Sequence, residues 1–362
     1  MAKSRGTTLL NPRFPFEDPA LRLFHLLASG GMGEIFETPG DPETVVKVLK
    51  PSYELDEVNV GWGIVEAYVL QALTTIPGYQ VAPLFYGAEE FEWEEDGNTR
   101  RNVAVRMQRI EGETLDELVH RNGPLPDRIK AAADSTRGLG CMERLGLIHR
   151  DLKPENILYV ACEVPGTGLT YLIDFAITYP RKESPLRAKI PSAILERLER
   201  KGSLFGTPSF MAPEEFTNID LSHIHPFKAA VVLVYAITGI NPLEAAAQQK
   251  GIDIKNLNVA RILAYYNMLK DVGAPREMVC DLGYRTADCL APYGPLVQSE
   301  AHDLFTLLEQ AVGKPEQRPP LQVLEEKSYS LLALVMEFNQ RRESAPALSQ
   351  YPQSPTREVA LS

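Results

Sequence analysis

Paired cysteines are missing from this sequence. Its four cysteines, Cys141, Cys162, Cys280 and Cys289, include no CxxC pair. That argues against a disulfide frame or a structural zinc site and predicts free thiols in a reducing compartment. Basic charge is also in deficit. Lys and Arg number 37 against 48 Asp and Glu, for a formal net charge of −11, so no general basic field is available to hold nucleic acid. Long apolar runs are absent too. The most apolar segment, AAVVLVYAITGI at 229–240, is 12 residues long, too short to span a bilayer and typical of a buried helix. The polar, proline-interrupted start carries no secretory leader pattern. These features predict a cytoplasmic protein with no membrane anchor. No internal repeat is visible.

What is present is enough apolar material, 44% of 362 residues, for two lobes with cores of their own. Residues 1–20 read as an irregular lead-in. From Leu21 to about Ile110 the pattern is mainly strands with one helix. LLASGGMGEIFET gives two short strands about a glycine turn, and ETVVKVLK a β-branched strand. Val65, Val69 and Leu73, spaced by four, mark a helix. Asp96-Gly97-Asn98 joins two strands as a hairpin, which makes the acidic run Glu89–Asp96 a solvated hairpin arm. Beyond Glu111-Gly112 the chain turns helical, near 113–121 and 125–146. A loop and two short strands (147–173), an irregular stretch (174–216), the buried helix (227–239) and further helices to about 340 follow. The segment 341–362 is rich in Ser and Pro and reads as a disordered tail. The fold class expected is α+β and bilobal, a β-rich lobe at 21–109 and a larger α-helical lobe at 110–335.

The residues able to do chemistry fall into short, ordered groups. In IHRDLKPENIL (148–158), Asp151, Lys153 and Asn156 sit in one loop that Pro154 keeps from being a regular helix. Asp174 lies 18 residues beyond Asn156, at the end of the apolar run YLI and across what reads as a hairpin. A lone carboxylate there is costly without a partner. An Asp carboxylate and an Asn carbonyl are hard oxygen ligands of the kind Mg²⁺ takes together with substrate phosphates. Upstream, ASGGMG (28–33) brings backbone N–H groups close to an anion. Lys47 alternates with valines and faces either solvent or a cavity, and Glu66 on the following helix is placed to pair with it.

In order and spacing these groups resemble the eukaryotic-like (Hanks-type) serine/threonine protein kinases, in their bacterial form. LASGGMGEI resembles the glycine-rich loop, VVKVL the lysine strand, EAYVLQAL the helix of the paired glutamate, and HRDLKPEN the catalytic loop. DFA stands where DFG is expected, and GTPSFMAPE (206–214) resembles the end of the activation segment. The resemblance covers roughly 21–335; HRDLKPEN with GTPSFMAPE is its most specific part. It implies ATP as phosphoryl donor, Mg²⁺ or alternatively Mn²⁺ as cofactor, protein substrates and autophosphorylation. It further implies that Gly30, Gly31 and Gly33 cover the phosphates and that Lys47, oriented by Glu66, holds them. Asp151 would take the substrate hydroxyl proton, Lys153 steady the γ-phosphate, and Asn156 and Asp174 hold the metal. Leu27, Ile35, Val45 and Leu158 would sandwich adenine, with Met107 as gatekeeper and Gln108 to Ile110 as hinge. Thr207 would bridge Asp151 and Lys153, Glu214 would pair with Arg318, and Arg150 would meet a phosphate on the activation segment, at Ser203.

Four positions depart from the pattern. Ala28 replaces the first loop glycine, Val45 an alanine above adenine, and Ala176 the DFG glycine, where a positive φ would cost about 1 kcal/mol. The anchoring aspartate of the buried helix falls on His225, unless the alignment slips to Asp220. The HIH triplet (223–225) offers too few ligands for a metal and reads as structural. Ala28, Ala176 and His225 support a rival reading, a pseudokinase that binds nucleotide or a partner and signals by shape; the intact Lys47, Glu66, Asp151, Asn156 and Asp174 oppose it. Cys141 and Cys162 read as packing. Two stretches run long, Asp174–Glu214 with its amphipathic PSAILERLERKGS, and 243–317. Each offers a place for a regulatory partner or is a solvated decoration.

Overall fold

The computed structural model describes residues 3–8, 25–30, 33–50, 56–95, 98–200, 204–217, 220–254, 259–271 and 273–344. Its first lobe is one antiparallel sheet with a helix packed on it. The strands are β1 (Lys3–Thr8), β2 (Leu26–Ser29), β3 (Gly33–Thr38) and β4 (Asp41–Leu49). Helix α1 (Asp56–Thr74) follows, then β5 (Phe85–Glu95) and β6 (Asn98–Gln108). The sheet order is β1-β5-β6-β4-β3-β2. β4 is paired on both sides, with Lys47 opposite Ile35 on β3 and Val105 on β6. Its valines are buried on both faces (Val45, Val46, Val48), which is why they run almost without interruption. α1 lays Val65, Val69 and Leu73 into the core, the stripe that its four-residue spacing marks.

Two expectations for this lobe need correction. The lead-in is not irregular throughout, because Lys3–Thr8 pairs antiparallel with β5. The acidic arm is not simply solvated. Glu89 is buried, since alternation along β5 turns it inward, while Glu90 and Glu92 pair with Arg101 at 3.0 and 3.6 Å.

The second lobe starts with β7 (Glu113–Thr114), α2 (Leu115–His120) and α3 (Leu125–Arg144). Thr114 and Glu117 close a capping box on α2 at 3.1 and 2.8 Å, satisfying two N-terminal N–H groups reciprocally. Then come β8 (Leu147–Ile148), β9 (Ile157–Val160), β10 (Leu169–Leu172) and β11 (Tyr179–Pro180). β9 and β10 pair antiparallel, and the ladder continues one step to Ile173 N–H on the Asn156 carbonyl at 3.0 Å. That step sets Asn156 beside Asp174. The remaining helices are α4 (Ser192–Glu199), α5 (Ile224–Thr238), α6 (Pro242–Gln249), α7 (Val259–Lys270), α8 (Gly273–Leu290), α9 (Pro295–Ala311) and α10 (Leu321–Ser344). α5 is buried from Ile224 to Ile237 and is the axis of this lobe. Among the described residues no single helix is long and apolar enough to cross a membrane.

α10 runs to Ser344, so 341–344 is helix and not tail; residues 345–362 lie outside the described residues. The four cysteines are free. Cys141 packs in the core, whereas Cys162 is exposed, so the packing role expected of it is withdrawn. The insertion at 174–214 carries the amphipathic α4, which packs on the first lobe's α1 with Ile194 beside Gly61 and with Ile194 and Leu198 buried.

Candidate active site

A cleft of about 970 Å³ opens between the lobes. Into it the structure brings Leu27, Gly30, Gly33, Ile35, Val45, Lys47, Glu66, Met107, Gln108, Ile110, Lys153, Asn156, Leu158 and Asp174. Gly31 and Ser203 lie outside the described residues. At Gly33 a Cβ would stand 2.9 Å from the Val48 carbonyl oxygen; only glycine lets the loop lie this close to β4. Ala28 has no positive φ and sits in the β2–β3 ladder opposite Ile35, so the lost glycine costs nothing in backbone strain.

Lys47 Nζ lies 2.6 Å from Glu66 Oε1 and 2.8 Å from Asp174 Oδ1. One ammonium therefore ties α1 to the loop after β10. Burial works against the lysine's charge, but the Asp174 and Glu66 carboxylates outweigh it and hold its pKa above the ordinary value. Burial lifts the Glu66 carboxyl. Burial also penalises Asp174, yet Lys47 carries it below the usual carboxylate range.

Asp174 has φ +65°, whereas Ala176 is not among the positive-φ residues. The strain expected at Ala176 therefore sits two residues earlier, on Asp174, held there by Lys47. Ala176 is a buried, unstrained residue. Phe175 is fully buried beside His149, ring centroids 5.2 Å apart.

The catalytic-loop residues converge on one carboxylate. Asp151 Oδ1 accepts the Thr207 backbone N–H at 2.8 Å and the Thr207 hydroxyl at 2.9 Å. Its Oδ2 lies 3.0 Å from Lys153 Nζ and 3.2 Å from Asn156 Nδ2. Lys153 also donates to Thr207 Oγ1 at 2.9 Å. Because the Asn156 amide NH₂ is directed at Asp151, its carbonyl oxygen is the atom left for a cation. Asp174 likewise has one oxygen on Lys47 and a second to offer. These two oxygens in one cleft fit the hard donors Mg²⁺ prefers. Among the described residues no group of three or more His, Cys, Asp or Glu could hold a metal unaided; phosphate oxygens would complete its shell.

Further out, Arg318 clasps Glu214 with contacts of 2.6 and 3.2 Å. His225 occupies the anchor position. Its Nε2 accepts the His149 backbone N–H at 3.2 Å, while Asp220 instead accepts the Ser222 N–H at 2.9 Å, so the alignment does not slip. Arg150 already has a partner within the chain. Its guanidinium is buried, donates to the Leu198 carbonyl at the end of α4 (3.0 Å) and lies 4.8 Å from the Phe205 ring. The Leu198 carbonyl thus takes one of the donors that the resemblance assigns to a phosphate. Two residues escaped the sequence reading altogether, Lys228 and Glu215. They form a fully buried pair at 3.0 Å, and Lys228 also donates to the carbonyls of Arg150 (2.7 Å) and Phe210 (3.1 Å). A second glutamate after MAP and a lysine inside an apolar helix were their only signals.

The family model for the protein kinase domain matches residues 90–340. The chain belongs to the protein kinase family. Similar curated proteins include the probable serine/threonine-protein kinase PkwA of Thermomonospora curvata, 29% identical over 65% of this chain and 28% of its own length. The serine/threonine-protein kinase PknH of Mycobacterium tuberculosis is 29% identical over 62% of this chain and 32% of its own length. PknA of the same organism is 28% identical over 61% and 47%. The kinase domain thus spans less than half the length of these relatives.

Proposed function

We propose that this kinase domain transfers the γ-phosphoryl group of ATP to serine and threonine hydroxyls of protein substrates, itself included. The observation that carries the reading is the Asp151–Lys153–Thr207–Asn156 cluster, whose Lys153 and Asn156 line the same cleft as Lys47 and Asp174. Asp151 orients the acceptor hydroxyl and takes its proton as the new O–P bond forms; the bond to ADP breaks, and ADP leaves with the electron pair. Lys153, pinned by Thr207, offsets charge on the moving phosphoryl group, and Lys47 holds the phosphates that remain. Leu27, Ile35, Val45 and Leu158 form apolar walls for adenine, and the Gln108–Ile110 backbone supplies its polar edge. Asn156 and Asp174 would hold Mg²⁺, or Mn²⁺ in its place, which would offset phosphate charge when bound.

The pseudokinase reading loses its main supports. Ala28 and Ala176 occupy unstrained positions, and the Lys47–Glu66 pair is closed. The Leu198 carbonyl already takes one Arg150 donor, which supports a reading in which the activation segment is ordered without phosphorylation. The 243–317 segment reaches the substrate shelf through Tyr265, whose hydroxyl donates to the Pro208 carbonyl at 3.1 Å; a substrate or regulatory protein bound at α7 would act on the shelf through this contact. The free thiols fit a reducing cytoplasm.

Calorimetric titration with ATP tests the metal and nucleotide assignments. Mg²⁺ is expected to tighten ATP binding to the wild type, and to do so about tenfold less in Asp174→Asn. Equal tightening in both would remove Asp174 as a ligand.

A further inference from the structure

The catalytic loop hangs on α5 through two contacts that a carboxylate does not make. The His149 backbone N–H points at His225 Nε2 (3.2 Å), and the Arg150 carbonyl accepts from Lys228 Nζ (2.7 Å). Between them Arg150 is held at φ +66°, a conformation that needs support from its surroundings. Lys228 is neutralised by Glu215. The partner of His225 is Glu143, at the end of α3, with Oε1 3.2 Å from Nδ1.

The chemistry leaves one tautomer. A backbone N–H only donates, so Nε2 must be bare. A carboxylate only accepts, so Nδ1 must carry the proton. His225 is 1% exposed and Glu143 about a third exposed, so the ring is dry and its orienting acid reaches solvent. Arg181 stands 4.0 Å from the same Glu143 oxygen.

We propose that His225, held as its Nδ1–H tautomer by Glu143, is the positioning residue of the catalytic loop. The loop is hung on an imidazole–carboxylate pair and not on a carboxylate alone. An unusual consequence follows: restoring aspartate at 225 does not improve the enzyme but damages it, because the new carboxylate faces Glu143 in a dry site, where two like charges cannot both be kept.

The test compares E143Q, E143K, H225D and E143Q/H225D. A glutamine oxygen still accepts from Nδ1–H. A lysine only donates, so it drives the proton to Nε2, where it meets the His149 N–H. Relative to the wild type, kcat is expected to fall about tenfold or more in H225D and in E143K, with KM for ATP within about twofold. E143Q is expected to stay about tenfold above E143K, and E143Q/H225D to recover most of the loss in H225D, since the amide can donate to the aspartate. The kinetic arm rests on the phosphoryl-transfer role proposed for Asp151. A second arm does not: ¹⁵N spectra of histidine-labelled protein, with His225 assigned by its disappearance in H225D, report the tautomer directly. A protonated Nδ1 and bare Nε2 are expected in the wild type. The reverse tautomer, an H225D as active as the wild type, or an E143K equal to E143Q would each overturn the proposal. A wild type without activity but with the Nδ1–H tautomer would count against the transfer reading and leave the positioning pair standing.

Discussion

Lys47→Met is expected to lose phosphoryl transfer by about a hundredfold or more and also to unfold more easily, although it replaces a charge with an apolar side chain. The ammonium bridges Glu66 on α1 and Asp174 after β10, at 2.6 and 2.8 Å, and the Phe175 backbone N–H adds only a longer contact to Glu66 at 3.4 Å. Without it two carboxylates face each other, one of them almost fully buried. Removing one partner of a buried ion pair typically costs about 3–5 kcal/mol, because the other charge is left uncompensated. Glu66 relieves part of this by taking a proton, the direction in which burial already pushes it. Asp174, at φ +65°, then loses its 2.8 Å partner, so the loss reaches the proposed metal ligand as well as the phosphates. Urea unfolding of Lys47→Met beside Glu66→Gln separates the two contributions. An unchanged unfolding midpoint in Lys47→Met would mean that the pair does not tie the lobes together.

Gly61→Val is expected to have the next largest effect, at a residue no kinase motif marks. A Cβ at Gly61 would stand 2.2 Å from Ile194 Cγ1 and 2.4 Å from its Cδ1, and Ile194 is itself buried in the α4–α1 contact. Trp62 packs edge-on against Phe205 next to it, centroids 5.8 Å apart. α4 therefore braces α1 in the position where Glu66 meets Lys47, and its Leu198 carbonyl accepts from Arg150. Overpacking such a contact costs about 1–3 kcal/mol. If that cost falls on the active position of α1, activity drops by about 5- to 150-fold. Ile194→Ala in the same molecule makes room for the valine and is expected to restore much of the activity. A Gly61→Val enzyme with full activity would show that α4 only decorates the fold.

The parts of the site that could be read in advance are those whose chemistry is local. HRDLKPEN and GTPSFMAPE each carry their roles within a few residues, so Asp151, Lys153, Asn156 and Thr207 fall together as their order implies. Lys47 stood out because valines flank it. The parts that could not be read depend on contacts between distant segments. Nothing near His225 announces Glu143, 82 positions away. The stripe on α4 predicts that one face is buried but not that it is buried on α1. Ala176 misled because the positive φ was assigned to the residue without a Cβ in related chains, whereas the turn places it on Asp174, where an ion pair holds it. Glu89 misled because an acidic run reads as solvated, while strand alternation still sends every second residue inward. Arg150, which looks made for a phosphate, already donates to the Leu198 carbonyl near a helix end, 48 positions away, a contact that no local pattern announces.

The central claim is that the Asp151 carboxylate serves a working phosphoryl-transfer site. The most direct measurement is transfer of radiolabelled phosphate from ATP, with Mg²⁺ and then Mn²⁺, onto the chain itself and onto a generic Ser/Thr-bearing protein, for the wild type beside Asp151→Ala. Label is expected with the wild type, with a loss of about 10²- to 10⁴-fold in the variant and nucleotide binding retained in both. An unlabelled wild type that still binds nucleotide would contradict that claim.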